Sequence, residues 1–156
     1  MKNTVDELNV LVQQFSERMM QIPEADFSAK PRPEKWSKKE VVGHLIDSGQ
    51  NNLRRFICGQ YEINPPKIVY RQDFWVAANL YQQYAQKDII DLWKLTNHQI
   101  SYVLNSMPKA NHNKKVKSSQ HSDDEKTLEW LAADYVKHMK HHLNQIFDNV
   151  FEITYP

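Results

Sequence analysis

Apolar residues recur along the chain at three- and four-residue steps in four long stretches, which is the spacing of one face of an α-helix. The first stretch runs through Leu8, Leu11, Val12, Phe15, Met19 and Ile22 and stops at Pro23, because proline has no N–H to continue a helix. Thr4-x-x-Glu7 has the form of a capping box at its start. The second opens at another capping box, Ser37-x-x-Glu40, and carries Val41, Val42, Leu45, Ile46, Leu53, Phe56 and Ile57 before Gly59. The third starts at Asp88 and places Ile89, Trp93, Thr96, Ile100, Val103, Leu104 and Met107 on one face before Pro108. The fourth, from about Glu125 to Val150, carries Leu128, Leu131, Tyr135, His138, His142 and Ile146.

The connections are polar and proline-rich. Residues 23–36 hold Pro23, Pro31 and Pro33 and read as an extended loop ending in Trp36, which is placed to plug an end of a bundle. Residues 60–72, with Pro65-Pro66, form a crossover or a loop, and Phe74 to Tyr84 make one short extra helix. Residues 109–124 read as a mobile loop, which puts His112 and His121 at the surface. The tail from Phe151 is irregular. The pattern predicts an all-α fold, a four-helix bundle with a crossover connection and one short extra helix. Simple up-down-up-down order is not implied, because the second and third connections are long.

Composition narrows the function classes. A chain of 156 residues suits one domain with a full hydrophobic core, here spanning residues 1–156. Twenty basic and nineteen acidic residues nearly cancel, so no strong field recruits nucleic acid. No apolar run approaches the roughly 20 residues of a membrane span, and no signal-peptide core opens the chain. The lone Cys58 excludes an internal disulfide. These features predict a soluble, cytoplasmic, helical domain.

The candidate chemistry lies in the histidines. His138 and His142 sit about 40° apart on the apolar face of the last helix, and His141 lies about 60° to the other side of His138. Two imidazoles one turn apart can reach one metal ion. Taken alone, the pair fits core histidines bonded to carbonyls more readily than a metal site. His44 falls at the border of the second apolar band with Ser48, Asn51 and Arg55, a place that also suits a half-exposed boundary residue. Gly43 beside it clears space for a neighbour to approach. Asn51, Asn52 and Arg55 could line a pocket or hold a loop.

Lys35-Trp36-Ser37-Lys38-Lys39-Glu40-Val41-Val42-Gly43-His44-Leu45-Ile46-Asp47 resembles the signature that opens the second helix of DinB/YfiT-like proteins. His138-x-x-x-His142-x-x-Gln145-Ile146 resembles their last-helix signature, and the likeness runs from about residue 5 to 148. The resemblance implies a four-helix bundle with three histidines binding a divalent metal in an inter-helix cleft. Carried over, these are His44, His138 and His142, with His141 competing for the last place. It also implies a homodimer. Its known activities imply a metal-dependent transferase using a low-molecular-weight thiol, or a hydrolase, acting on a small molecule.

Three neutral imidazoles leave coordination positions open, as catalytic zinc sites do. Zinc or nickel is the expected ion, and Asp47 and Asp134 are candidates to hold the histidine rings from behind. A non-catalytic module that binds metal or ligand, or dimerises through a helix face, is the alternative on the same bundle.

Overall fold

The computed structural model describes residues 1–118 and 124–155. Four long helices form the frame: α1 (Lys2–Met20), α3 (Lys38–Tyr61), α5 (Gln86–Ser106) and α6 (Leu128–Phe147). Two short helices, α2 (Glu24–Ser28) and α4 (Gln72–Asn79), lie in the connections. A two-stranded antiparallel hairpin, β1 (Lys115–Lys117) and β2 (Glu125–Thr127), precedes α6. Among the described residues, no helix is long and apolar enough to cross a membrane.

In cross-section α1 packs on α5 and α6, and α3 packs on α5 and α6. The consecutive long helices α1 and α3 are therefore diagonal neighbours, as are α5 and α6. Bundle crossings occur at the first and third long connections. The second, although long, joins helices that lie side by side. The four apolar stripes meet in one core, with Phe15, Phe56, Trp93 and Tyr135 buried at its centre.

Local chemistry places several boundaries differently from the sequence pattern. Thr4 does not cap α1, which begins at Lys2 with no side-chain cap. Residues 23–36 are not wholly extended, since α2 forms within them and buries Phe27. Lys39, fully buried, ties that segment down by donating from Nζ to Glu24 and to the Tyr84 carbonyl. Part of the expected 109–124 loop is the hairpin, joined by Lys67 through a parallel bridge to Lys117. His121 lies outside the described residues, and α6 starts at Leu128 behind the N-cap Thr127. The Ser37 capping box forms as the sequence implies, with Ser37 Oγ accepting from the Glu40 N–H.

Gly43 has the tight neighbour that its position suggests. A Cβ there would overlap the Tyr81 ring, whose hydroxyl is fastened to Asp47 at 2.6 Å. The ring has no free direction in which to yield. Gly43→Ala should therefore destabilise the protein by about 2 kcal/mol in urea unfolding, overpacking outweighing the helix-propensity gain.

Candidate metal centre

The capping box fixes where α3 starts, and two turns later His44 points into the bundle between α3 and α6. Its ring is 1% exposed, not the half-exposed boundary that its spacing also allows. Trp36 explains the difference. Its indole lies against the His44 ring, 5.0 Å between centroids, and covers that border. On α6, His138 and His142 are half-buried. They flank the apolar band rather than centring it, because Val136, Met139 and Leu143 are the residues driven into the core.

The three rings converge. His44 Nε2 lies 3.2 Å from His138 Nε2, and His142 Nε2 lies 3.0 Å from the same atom. They form the one group of three metal-ligating side chains found among the described residues. Zinc–nitrogen bonds of about 2.0–2.1 Å place two ligand nitrogens about 3.0–3.4 Å apart, so these spacings fit a shared ion.

The outer edges of two rings support the same tautomer. His138 Nδ1 faces Ser48 Oγ at 3.4 Å, and His142 Nδ1 faces Gln145 Oε1 at 3.1 Å. Nδ1–H donation to these oxygens leaves both Nε2 lone pairs aimed at the centre. Gln145 Nε2 donates in turn to His141 Nε2 at 3.2 Å, which turns His141 away from the cluster. His112 sits apart, half-buried near Glu129.

Neither expected carboxylate holds a ring. Asp47 is buried and accepts from Tyr81 Oη and from Asn79 Nδ2 at 3.0 Å, and Asp134 accepts from Tyr155 Oη at 3.3 Å. His44 Nδ1 and Asp47 Oδ2 have no hydrogen-bond partner among the described residues. Ser48 and Gln145 take the supporting role instead. Gln145 was legible in principle, being one turn beyond His142 on its own face; Ser48 shares the His44 border at a four-residue step.

Burial sets the charge state. Desolvation, with smaller repulsion from neighbouring imidazoles, pushes His44 down to about 3 from 6.5. Burial also lowers His142 to about 4, against the raising effect of Gln145, and holds His138 well below its usual value. All three are neutral at pH 7, which is the ligand form. Burial pushes the Asp47 carboxyl the other way, up to about 6, opposed by its bond from Tyr81.

The cluster opens on a cleft of about 880 Å³ lined by Trp36, Lys38, Gln72, Asp73, His142 and Gln145, among others. That volume falls in the range of small-molecule sites. Arg55 is not in the cleft lining: its Nε and Nη2 donate to the Ile68 carbonyl at 3.0 and 2.7 Å, so it holds a loop. Cys58 is about 21 Å along α3 from His44, bonded by the Tyr61 hydroxyl at 3.4 Å.

A diagonally connected bundle with an inter-helix imidazole cluster beside a cleft defines a class of proteins. The sequence pattern of the DinB superfamily matches residues 7–146, and the chain belongs to that superfamily. No curated protein matches it in sequence. Among solved structures it is similar to YfiT from Bacillus subtilis, described as a probable metal-dependent hydrolase with an unusual four-helix bundle topology. The TM-score is 0.84 at 19% identity, over 94% of this chain and 83% of that one. It is also similar to the mycothiol-dependent maleylpyruvate isomerase, with TM-score 0.68 at 9% identity, over 91% of this chain and 59% of that one. A mutant of that isomerase gives a TM-score of 0.71 at 7% identity, over the same shares. At identities this low, the likeness shows a shared fold and nothing more.

Proposed function

We propose that the protein is a metal-dependent enzyme acting on a small molecule, with His44, His138 and His142 as ligands of a divalent zinc or nickel ion. The observation that carries the reading is the meeting of three neutral Nε2 atoms, two of them backed at Nδ1 by hydrogen-bonding oxygens. His44, His138 and His142 would hold the ion, which when bound would supply Lewis acidity able to make a water or a thiol nucleophilic at neutral pH. The reaction class is group transfer with a low-molecular-weight thiol, or hydrolysis; YfiT is described as a probable metal-dependent hydrolase, and the isomerase as mycothiol-dependent.

The protein's own residues divide the remaining work. Ser48 and Gln145 orient the ligand rings, and Trp36 keeps water from the buried face of His44. The cleft beside His142 seats the substrate, and charged groups of both signs around it, including Lys35, Lys38, Asp73 and Asp148, suit a polar molecule. Three ligands beside an open cleft favour an enzyme over a sealed structural site with four. A homodimer, which rests on the sequence resemblance, and a cytoplasmic location, which rests on composition and apolar patterning, remain part of this reading.

The test is elemental analysis of untagged protein, followed by zinc and nickel titration at pH 7. About one equivalent of metal per chain is expected. Protein that takes up neither ion overturns the reading. Screening of thiol-transfer and hydrolase substrates on the loaded protein then separates the two reaction classes.

A further inference from the structure

The segment after α6 does not leave the bundle. Asp148 and Asn149 adopt left-handed backbone conformations, with φ of 53° and 62°, which short polar side chains tolerate. The chain reverses there, and Asn144 fastens the return. Its Nδ2 donates to the Phe151 carbonyl at 2.9 Å, and its Oδ1 accepts from the Phe151 N–H at 2.8 Å. Phe151 packs on Phe15, 5.5 Å between centroids, with Lys140 over its ring. Residues 151–155 then run back along α6 towards the histidines.

Tyr155 ends this return on two imidazoles at once. Its ring centroid is 5.5 Å from that of His138 and 5.4 Å from that of His141. Its hydroxyl donates to Asp134, one turn before His138, and Lys137 lies over its ring. The geometry gives this contact a purpose. His138 is the shared vertex of the cluster, since both short Nε2 separations end on it. It is also half-buried, and its Nδ1 hydrogen bond to Ser48 is long at 3.4 Å. A ring so placed has rotamer freedom to lose before it can act as a ligand. An aromatic ring packed edge-on against it, the two planes 60° apart, removes that freedom in advance, and preorganised ligand rings are what a metal site needs from its surroundings.

We propose that Tyr155 is a positioning residue of the three-histidine site. With its hydroxyl tethered to Asp134, its ring lies across His138 and His141 and holds His138 Nε2 where His44 and His142 converge. The proposal rests on the metal reading above but makes a claim about the metal-free protein as well. It also gives His141, which is turned away from the centre, a role as the second half of the platform on which Tyr155 rests.

The experiment compares Tyr155→Ala and Tyr155→Phe with the parent in zinc titration and in NMR of the histidine ring protons without metal. In the parent, the His138 and His141 ring protons should carry a ring-current shift from Tyr155. Tyr155→Phe should keep that shift and bind zinc within about three-fold of the parent, because the ring does the positioning. Tyr155→Ala should lose the shift and bind zinc about 10- to 100-fold more weakly, the range for loss of outer-shell support. Helicity should be the same in all three proteins.

Parental zinc affinity in Tyr155→Ala overturns the proposal. Absence of the ring-current shift in the parent overturns it too, whatever the zinc data show. A parent that binds no zinc but keeps the shifts, with Tyr155→Ala losing them, sinks the metal reading and leaves the clamp on His138 standing.

Discussion

Replacing His138 by alanine should yield a folded bundle that no longer retains a divalent metal. His138 Nε2 is the atom to which His44 approaches at 3.2 Å and His142 at 3.0 Å, so its removal takes away the centre of the group. The two remaining imidazoles sit on different helices. The loss in zinc affinity should exceed the roughly 100-fold at the upper end for outer-shell partners. The fold should survive, because His138 is half-buried and the apolar residues beside it, Tyr135, Met139 and Leu143, carry the packing of α6.

His141→Ala is the matched control. Its Nε2 accepts from Gln145 and faces away from the cluster, so near-stoichiometric zinc should remain, with affinity weakened no further than in Tyr155→Ala. Titration calorimetry with circular dichroism decides the matter. Zinc retained by His142→Ala but lost by His141→Ala would reverse the assignment of these neighbours.

Stability of the metal-free protein should fall steeply as pH drops below about 6.5. The folded chain holds His44 down at about 3, His142 at about 4 and His138 well below 6.5, their ordinary value. Near pH 5 the unfolded chain therefore binds almost three protons on these groups that the folded chain refuses. Stability is lost on acidification through that window, at about 1.4 kcal/mol per pH unit for each proton. Asp47 acts with the opposite sign. Its folded value of about 6 lies above the ordinary 3.8, so between those limits the folded state takes up the proton.

For these four groups alone, three protons against one leave a slope of about 3 kcal/mol per pH unit near pH 5. That is large against the roughly 5–15 kcal/mol of a whole domain. Urea midpoints at pH 7, 6 and 5 in the presence of chelator measure the slope. A flat profile would show that the imidazoles are not held neutral by burial.

The long amphipathic helices were legible because each repeats its period over five or six turns; a proline follows α1 and α5 and a capping box opens α3, whereas Gly59 lies inside α3, which runs on to Tyr61. The Ser37–Glu40 box was read correctly, since both its reciprocal bonds are local. Thr4–Glu7 has the same pattern yet does not cap, because the helix runs back past it to Lys2. The three histidines were named from the resemblance to a family, and the structure brings those three together.

What the pattern hid was non-local. The burial of His44 depends on Trp36, and the buried face of α6 takes in Val136, Met139 and Leu143 beside Leu128, Leu131, Tyr135 and Ile146, which moves its centre away from the histidines. Asp47 and Asp134 looked like ring supports because they sit one turn from a histidine. Tyrosines brought from elsewhere in the chain claim both. Tyr155 carried no signal at all: its contact with His138 requires the left-handed reversal at Asp148 and Asn149.

The placement of the histidines along the chain has a consequence for how the site comes into being. His44 and His138 are separated by 94 positions, so their meeting waits until distant parts of the polypeptide have docked. His138 and His142 are one turn apart and need only a stretch of helix. An unfolded chain with transient helix there already holds a two-imidazole chelate. Metal added during refolding would meet that chelate before the third ligand arrives, and any affinity for the unfolded ensemble would subtract from the stabilisation that the native site gives. The thermal shift on adding zinc should therefore understate native affinity. The slow component of metal capture would then act as a clock for the docking of α3 on α6.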